Sequence, residues 1–137
     1  MIGIVICSHG NVSQGLVDAV EMIYGACPNL TYLGLEESDD IELWGRELDR
    51  LVRVFPKGCV VLLDLFGGTP CNQFLSKIVS DSSLKVYAIA GVNLGMVLYA
   101  LDYQDTNDPE KLAKLLVEAG KNAVINVSEK WTDRRGK

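Results

Sequence analysis

The sequence predicts an α/β fold: an open, mostly parallel four-stranded sheet with helices on both faces, plus a C-terminal edge strand. Three observations predict it. Apolar runs and helical patterns alternate from one end of the chain to the other. Two of the runs, at residues 1–8 and 59–63, are apolar on both faces, as central parallel strands are. Most runs are followed by turn residues and a helix start, which is the repeated βα unit of a parallel sheet.

The first strand covers residues 1–8, Met-Ile-Gly-Ile-Val-Ile-Cys-Ser. The first helix follows over residues 13–24, with Leu16, Val20, Ile23 and Tyr24 on one face and Gly25 to end it. A short second strand is expected at residues 30–35. Ser38 is the expected cap of the second helix, whose first turn holds Asp39, Asp40 and Glu42, the charge sign that a helix N-terminus favours. Its apolar positions are Ile41, Trp44, Leu48, Leu51 and Phe55, and Pro56-Lys57-Gly58 stops it.

The third strand, residues 59–63, runs into Asp64-Leu-Phe-Gly-Gly-Thr-Pro70. There Thr69 reads as a helix cap and Pro70 as the first helical residue, with the helix continuing to about residue 79. A fourth strand at residues 85–90 ends in Gly91-Val92-Asn93, before a short helix at 94–101. Asp108-Pro109-Glu110 opens the last helix, which ends near Gly120. Residues 123–127, Ala-Val-Ile-Asn-Val, read as a final strand, and the charged tail 128–137 as a frayed end.

At 137 residues the chain fits one domain with a real core. A net charge of −5 argues against a broad nucleic-acid footprint. No apolar run is long enough to span a membrane, and the start of the chain lacks the basic region of a signal peptide. Cys7, Cys27, Cys59 and Cys71 form no Cys-x-x-Cys pair, and there is a single histidine. No metal and no cofactor are therefore expected, and the cysteines read as free thiols of a reducing cytoplasm.

Three strand ends carry chemistry: Ser8-His9-Gly10, Asp64 with Gly67-Gly68-Thr69-Pro70, and Gly91-Val92-Asn93. In an open parallel sheet these ends share one edge, and ligands bind where neighbouring strands diverge. If the first and third strands are neighbours, His9 faces Asp64. A carboxylate bonded to one ring nitrogen fixes the tautomer and leaves the other nitrogen as nucleophile. Gly67, Gly68 and Thr69, with Gly10 and Asn93, are the candidate phosphate-binding residues, at a helix start that offers free N–H groups. Each piece also has a plainer reading: a surface histidine, a turn-capping Asp64, an ordinary loop, an Asn93 that only caps the fourth helix.

Other phosphate chemistries lack their residues. There is no Gly-x-x-x-x-Gly-Lys-Ser/Thr loop, and Cys7 has no arginine at the spacing of a cysteine phosphatase. Asp64 sits where a response regulator has its acceptor, but Ser8 and His9 stand where such proteins hold magnesium-binding acids. Ser8-His9-Gly10 lacks the arginine and second histidine of a histidine phosphatase.

Ile4-Val-Ile-Cys-Ser-His-Gly10, Leu63-Asp-Leu-Phe-Gly-Gly-Thr-Pro-Cys-Asn72 and Ile89-Ala-Gly-Val-Asn-Leu94, in this order, resemble the mannose-type IIA domains of the bacterial phosphoenolpyruvate-dependent sugar phosphotransferase system. The resemblance covers residues 1–127. It implies a cytoplasmic phosphotransferase whose His9 takes a phosphoryl group from the phosphocarrier HPr. His9 would pass it to a IIB partner that phosphorylates a sugar entering through membrane IIC and IID subunits. It implies that Asp64 orients His9, and that the protein is a homodimer with a last strand, here residues 123–127, exchanged between subunits. A subunit of the dihydroxyacetone kinase system and a purely regulatory phospho-accepting domain are the alternatives. Gly95 replaces a common proline, so a more mobile loop is expected there. With no Ala/Pro-rich linker after the domain, a free-standing IIA subunit is expected.

Overall fold

The computed structural model describes residues 1–135, with side chains as far as Thr132. Its elements are β1 (Gly3–His9), α1 (Val12–Tyr24), β2 (Leu30–Leu35), α2 (Ile41–Arg53), β3 (Cys59–Leu63), α3 (Thr69–Lys77), β4 (Val86–Ala90), α4 (Leu94–Asp102), α5 (Pro109–Asn122) and α6 (Val127–Arg135). The four strands form one parallel sheet in the order β2-β1-β3-β4. The two fully apolar strands are central, as their sequences require. The half-buried ones lie at the edges, where one face or one side meets solvent.

Strand alternation sends side chains to two separate cores. Ile2, Ile4, Ile6, Val60 and Leu62 meet Val17 and Val20 of α1, Val97 and Leu101 of α4, and Leu112 and Leu116 of α5. Val5, Cys7, Cys59, Val61 and Leu63 meet Trp44, Leu48 and Val52 of α2 and Cys71 and Phe74 of α3. Helices therefore cover both faces. The sheet is anchored from each side by aliphatic burial worth about 1.5–3 kcal/mol per large side chain.

Two helix starts differ from expectation. The cap of α2 is Asp40, not Ser38: Asp40 Oδ1 accepts from Leu43 N at 3.1 Å. Asp39 turns its carboxylate back to Glu36 N at 2.8 Å instead. A cap must directly precede the first helical residue for its oxygen to reach the N–H three positions on, and Ser38 lies two residues too early. At α3 the flanking residue is Gly68, and Thr69 and Pro70 are the first two helical residues. Gly68 has no side chain to bond the helix start, so no side-chain cap occupies the N–H groups there.

The C-terminus differs more. Residues 123–127 form no strand in this chain. Ala123 ends α5 with its N–H bonded to the carbonyls of Ala119 and Gly120, and Val124 N bonds Lys121 O. Asn126 Oδ1 then accepts from Glu129 N at 2.9 Å and starts α6, so the tail is helical over its described residues rather than frayed. Residues 136–137 of that tail lie outside the described residues. Helix-ending and helix-starting bonds thus claim a segment whose apolar alternation suggests a strand. The loop expected to loosen at Gly95 is instead the first turn of α4. A Cβ on Gly95 would lie 2.6 Å from the Ala123 methyl, so its absence lets the end of α5 seat on α4.

Candidate functional site

β1 pairs with β2 on one side and β3 on the other, in register Cys7↔Leu33 and Cys7↔Leu63. The connection leaving β1 turns toward β2, while that leaving β3 turns away toward β4. The crevice between β1 and β3 is therefore the point of divergence where α/β sheets bind ligands. His9 ends β1 and Asp64 follows β3, so both fall on that crevice, as the sequence predicts.

Asp64 Oδ2 lies 2.8 Å from His9 Nδ1 and accepts the His9 backbone N–H at 3.0 Å. A carboxylate only accepts, so Nδ1 carries the proton and Nε2 keeps its lone pair. The Asp64 side chain is 16% exposed and that of His9 48%, so the carboxylate stays sheltered while the ring reaches solvent. Asp64 Oδ1 is buried without a protein partner. The free nitrogen meets the start of α3: an ideal Cβ on Gly68 would lie 2.7 Å from His9 Cε1 and 3.2 Å from Nε2. The ring thus packs on the Gly68 backbone. Gly67 holds φ +86°, a left-handed turn that brings the chain into the helix. The first turn of α3, with Thr69 partly buried and Pro70 lacking an N–H, leaves backbone donors unbonded within the helix and a positive dipole end next to Nε2. An anion carried on Nε2 would meet both.

Gly10 also lies in the turn, with φ +54° and its N–H on Leu35 O at 2.7 Å. A shallow pocket beside it is lined by His9, Gly10, Leu35, Glu36 and Glu37. Asn93 is brought to the same sheet edge but its side chain is engaged. Its Oδ1 accepts from Met96 N at 2.9 Å to cap α4, and its Nδ2 donates to Gly120 O at 2.9 Å to hold α5. Cys7 is buried directly below His9, and burial pushes its thiol far up, so it is held neutral and is no nucleophile.

Four more residues belong here. Ser8 is fully buried, and its Oγ accepts from Ser13 N at 2.8 Å. Gly34 stands opposite, where any Cβ would overlap the Gly10 carbonyl oxygen. Leu65 and Phe66, 58% and 81% exposed, follow Asp64 as an exposed apolar pair, with Leu65 reaching the same Gly68 that the ring packs on. A buried serine ending an apolar strand and two large apolar residues before a Gly-Gly pair are the sequence signals for them.

Residues 3–117 match the family described as the PTS system fructose IIA component, EIIA-man. The chain is 33% identical to the mannose-specific EIIAB component of Escherichia coli strain K12 over 97% of its own length, and it spans only 42% of that relative. It is 30% identical to the fructose-specific EIIA component of Bacillus subtilis, covering 77% of this chain and 72% of that one. Among solved structures, a phosphotransferase system component EIIA from Streptococcus agalactiae superposes with a TM-score of 0.87 at 27% identity, covering 94% of this chain and 99% of that one. By the family match over residues 3–117 and the 30% identity to a relative covered to 72%, the chain belongs to the mannose family of sugar-specific IIA components of the phosphotransferase system.

Proposed function

We propose that this protein carries phosphoryl groups on His9, taking them from phospho-HPr and passing them to a IIB component. The observation that carries the reading is the 2.8 Å bond from His9 Nδ1 to Asp64, which leaves Nε2 unprotonated beside the start of α3. In the forward step the Nε2 lone pair attacks the phosphorus of the incoming phosphoryl group. The bond from phosphorus to the donor atom breaks, and the donor leaves with that electron pair. The ring is then cationic, and Asp64 stabilises it through the Nδ1 proton. The phosphoryl oxygens take N–H donors from Gly67–Thr69 and the α3 dipole, with the Thr69 hydroxyl and the Gly10 backbone at the rim. Transfer to the IIB acceptor is the same displacement in the opposite sense.

The setting is the bacterial cytoplasm, with IIC and IID subunits carrying the sugar. Among the described residues no helix is long and apolar enough to cross a membrane. The two curated relatives above are mannose- and fructose-specific by name, and this domain needs no contact with the sugar. We also propose a homodimer in which residues 123–127 leave the position described above and add to the sheet of a second copy. Two features support this. Among the described residues β4 pairs only with β3, which leaves its other edge free. Val124 and Val127 are 76% and 74% exposed in the single chain, a cost that strand exchange removes on both copies. Residues 1–127 then make the working domain, with 128–137 an appendage.

The test is incubation with phosphoenolpyruvate, enzyme I and HPr. The protein should gain one phosphate that is acid-labile and alkali-stable, and His9→Ala should gain none. Label retained by His9→Ala would overturn the reading.

A further inference from the structure

We propose that Ser8 is a positioning residue for His9: its buried hydroxyl sets the turn that aims the phosphoryl-accepting ring. The proposal rests on the phosphoryl-carrier reading for its rate prediction, but its geometry stands separately.

The segment from Ser8 to Ser13 is the one stretch that connects the strand carrying His9 to α1. It is held at three points. His9 N donates to Asp64 Oδ2 at 3.0 Å, Gly10 N donates to Leu35 O at 2.7 Å, and Ser13 N donates to Ser8 Oγ at 2.8 Å. The first two tie the turn sideways to β3 and to β2. The third closes it upon itself, from the strand end to the first turn of the helix, through the same Ser8 hydroxyl that reaches Gly10 O at 3.5 Å. Asn11 occupies the usual cap position of α1 but makes no side-chain bond to the helix. Ser8 supplies that bond from three residues earlier, across the turn.

Both Ser8 and Ser13 are fully buried. Without the hydroxyl, the fully buried Ser13 N–H loses its bond partner, and the turn must shift to satisfy it. The turn has little room to shift elsewhere, because the Gly10 carbonyl already fills the space left by the missing side chain of Gly34. Ser8 Oγ lies 3.5 Å from that same carbonyl oxygen, a long contact on the inner side of the turn. The movement therefore passes to His9, whose ring must keep both its bond to Asp64 and its seat on Gly68. Displacement of a reacting group by about 1 Å commonly costs on the order of 10²-fold in rate.

The experiment compares Ser8→Ala, Ser8→Cys and Ser8→Thr with the wild-type protein, by phosphoryl uptake from phospho-HPr and by nitrogen-15 NMR of the ring. His9 is the single histidine, so its two ring nitrogens are assigned without ambiguity. The wild type should show the Nδ1-protonated tautomer. Ser8→Ala should fold, take up phosphate about 10- to 100-fold more slowly, and show a mixture of tautomers. Ser8→Thr, which keeps the hydroxyl, should recover both. Ser8→Cys fills the same space with a weak acceptor and should behave as Ser8→Ala does, so it replaces that variant if alanine does not fold. A folded Ser8→Ala or Ser8→Cys with wild-type rate and tautomer overturns the proposal. If the wild type takes up no phosphate at all, the carrier reading fails instead, and the tautomer comparison still decides the role of Ser8.

Discussion

Replacing Asp64 by asparagine tests the electrostatic core of the site. Asp64 Oδ2 serves two donors at once, His9 N at 3.0 Å and His9 Nδ1 at 2.8 Å, while Oδ1 is buried and unpartnered. Asparagine can place its oxygen at only one of these positions. If the oxygen faces His9, the amide NH₂ enters the buried, unpartnered site of Oδ1, and leaving it unbonded there costs about 1–3 kcal/mol in stability. If the amide is reversed, the NH₂ faces two N–H donors and drives the ring to the tautomer with Nε2 protonated. Either way the cationic ring loses its counter-charge. In a buried triad the equivalent change costs about 10⁴ in rate. Here the ring is 48% exposed and water screens part of the charge, so the smaller figure of about 10²-fold, or about 2.7 kcal/mol, is expected. Rapid-quench measurement of labelled phosphate moving from phospho-HPr, and back again, reads both directions. A folded Asp64→Asn protein with unchanged rates in both directions would refute the orienting role.

Other outcomes follow from the same geometry. Gly68→Ala puts a methyl within 2.7 Å of His9 Cε1 and should slow phosphate uptake on the order of 10²-fold with little change in melting temperature. Cys7 and Cys59 should resist alkylation in the folded protein near neutral pH, with the partly exposed Cys27 reacting first, as mass spectrometry of timed samples would show. Burial pushes the Cys59 thiol up from 9.0 to about 12, so its contribution to stability is full below the ordinary thiol value and is lost as pH rises through that interval. Denaturant midpoints should accordingly fall in alkali above about pH 9, and less steeply in Cys59→Ala. A chain ending at residue 122 should be monomeric or aggregated by light scattering, while one ending at residue 128 should remain a dimer; a well-folded dimer of the shorter chain would place the interface elsewhere.

The sheet was legible because burial on both faces leaves a mark in composition. Residues 2–8 and 59–63 admit no charged side chain, and only strands enclosed by helices above and below tolerate that. Their adjacency, and with it the meeting of His9 and Asp64, stayed conditional in the sequence, because doubly wound sheets run in the order 3-2-1-4 as well as 2-1-3-4; the observed order β2-β1-β3-β4 decides it. The missed features are those where several residue types can do one job. Ser38, Asp39 and Asp40 are all competent caps, and only the position of the first helical turn selects Asp40. Asn126 and Glu129 stand at the spacing of a capping box, a signal for α6 that the apolar residues 123–127 concealed. Asn93 could cap or bind phosphate on residue type alone, and the carbonyl of Gly120, 27 positions away, is what engages its amide. Ser8 sits on the strand pattern like any small residue, and its partner Ser13 becomes visible only once the turn is built.

The central strands that carry the site have a bearing on how the protein wears out. β1 and β3 are enclosed along their length and bonded to a neighbour on each side. Amide protons of such strands exchange only when the whole molecule opens, whereas those of β4 and α6 can exchange through local opening. His9 and Asp64 sit at the ends of these central strands, the part of the chain expected to exchange most slowly. Warming should therefore leave the phosphate-accepting fraction of molecules equal to the folded fraction at each temperature, with no earlier loss of function. Heat inactivation and global unfolding would then follow a single curve.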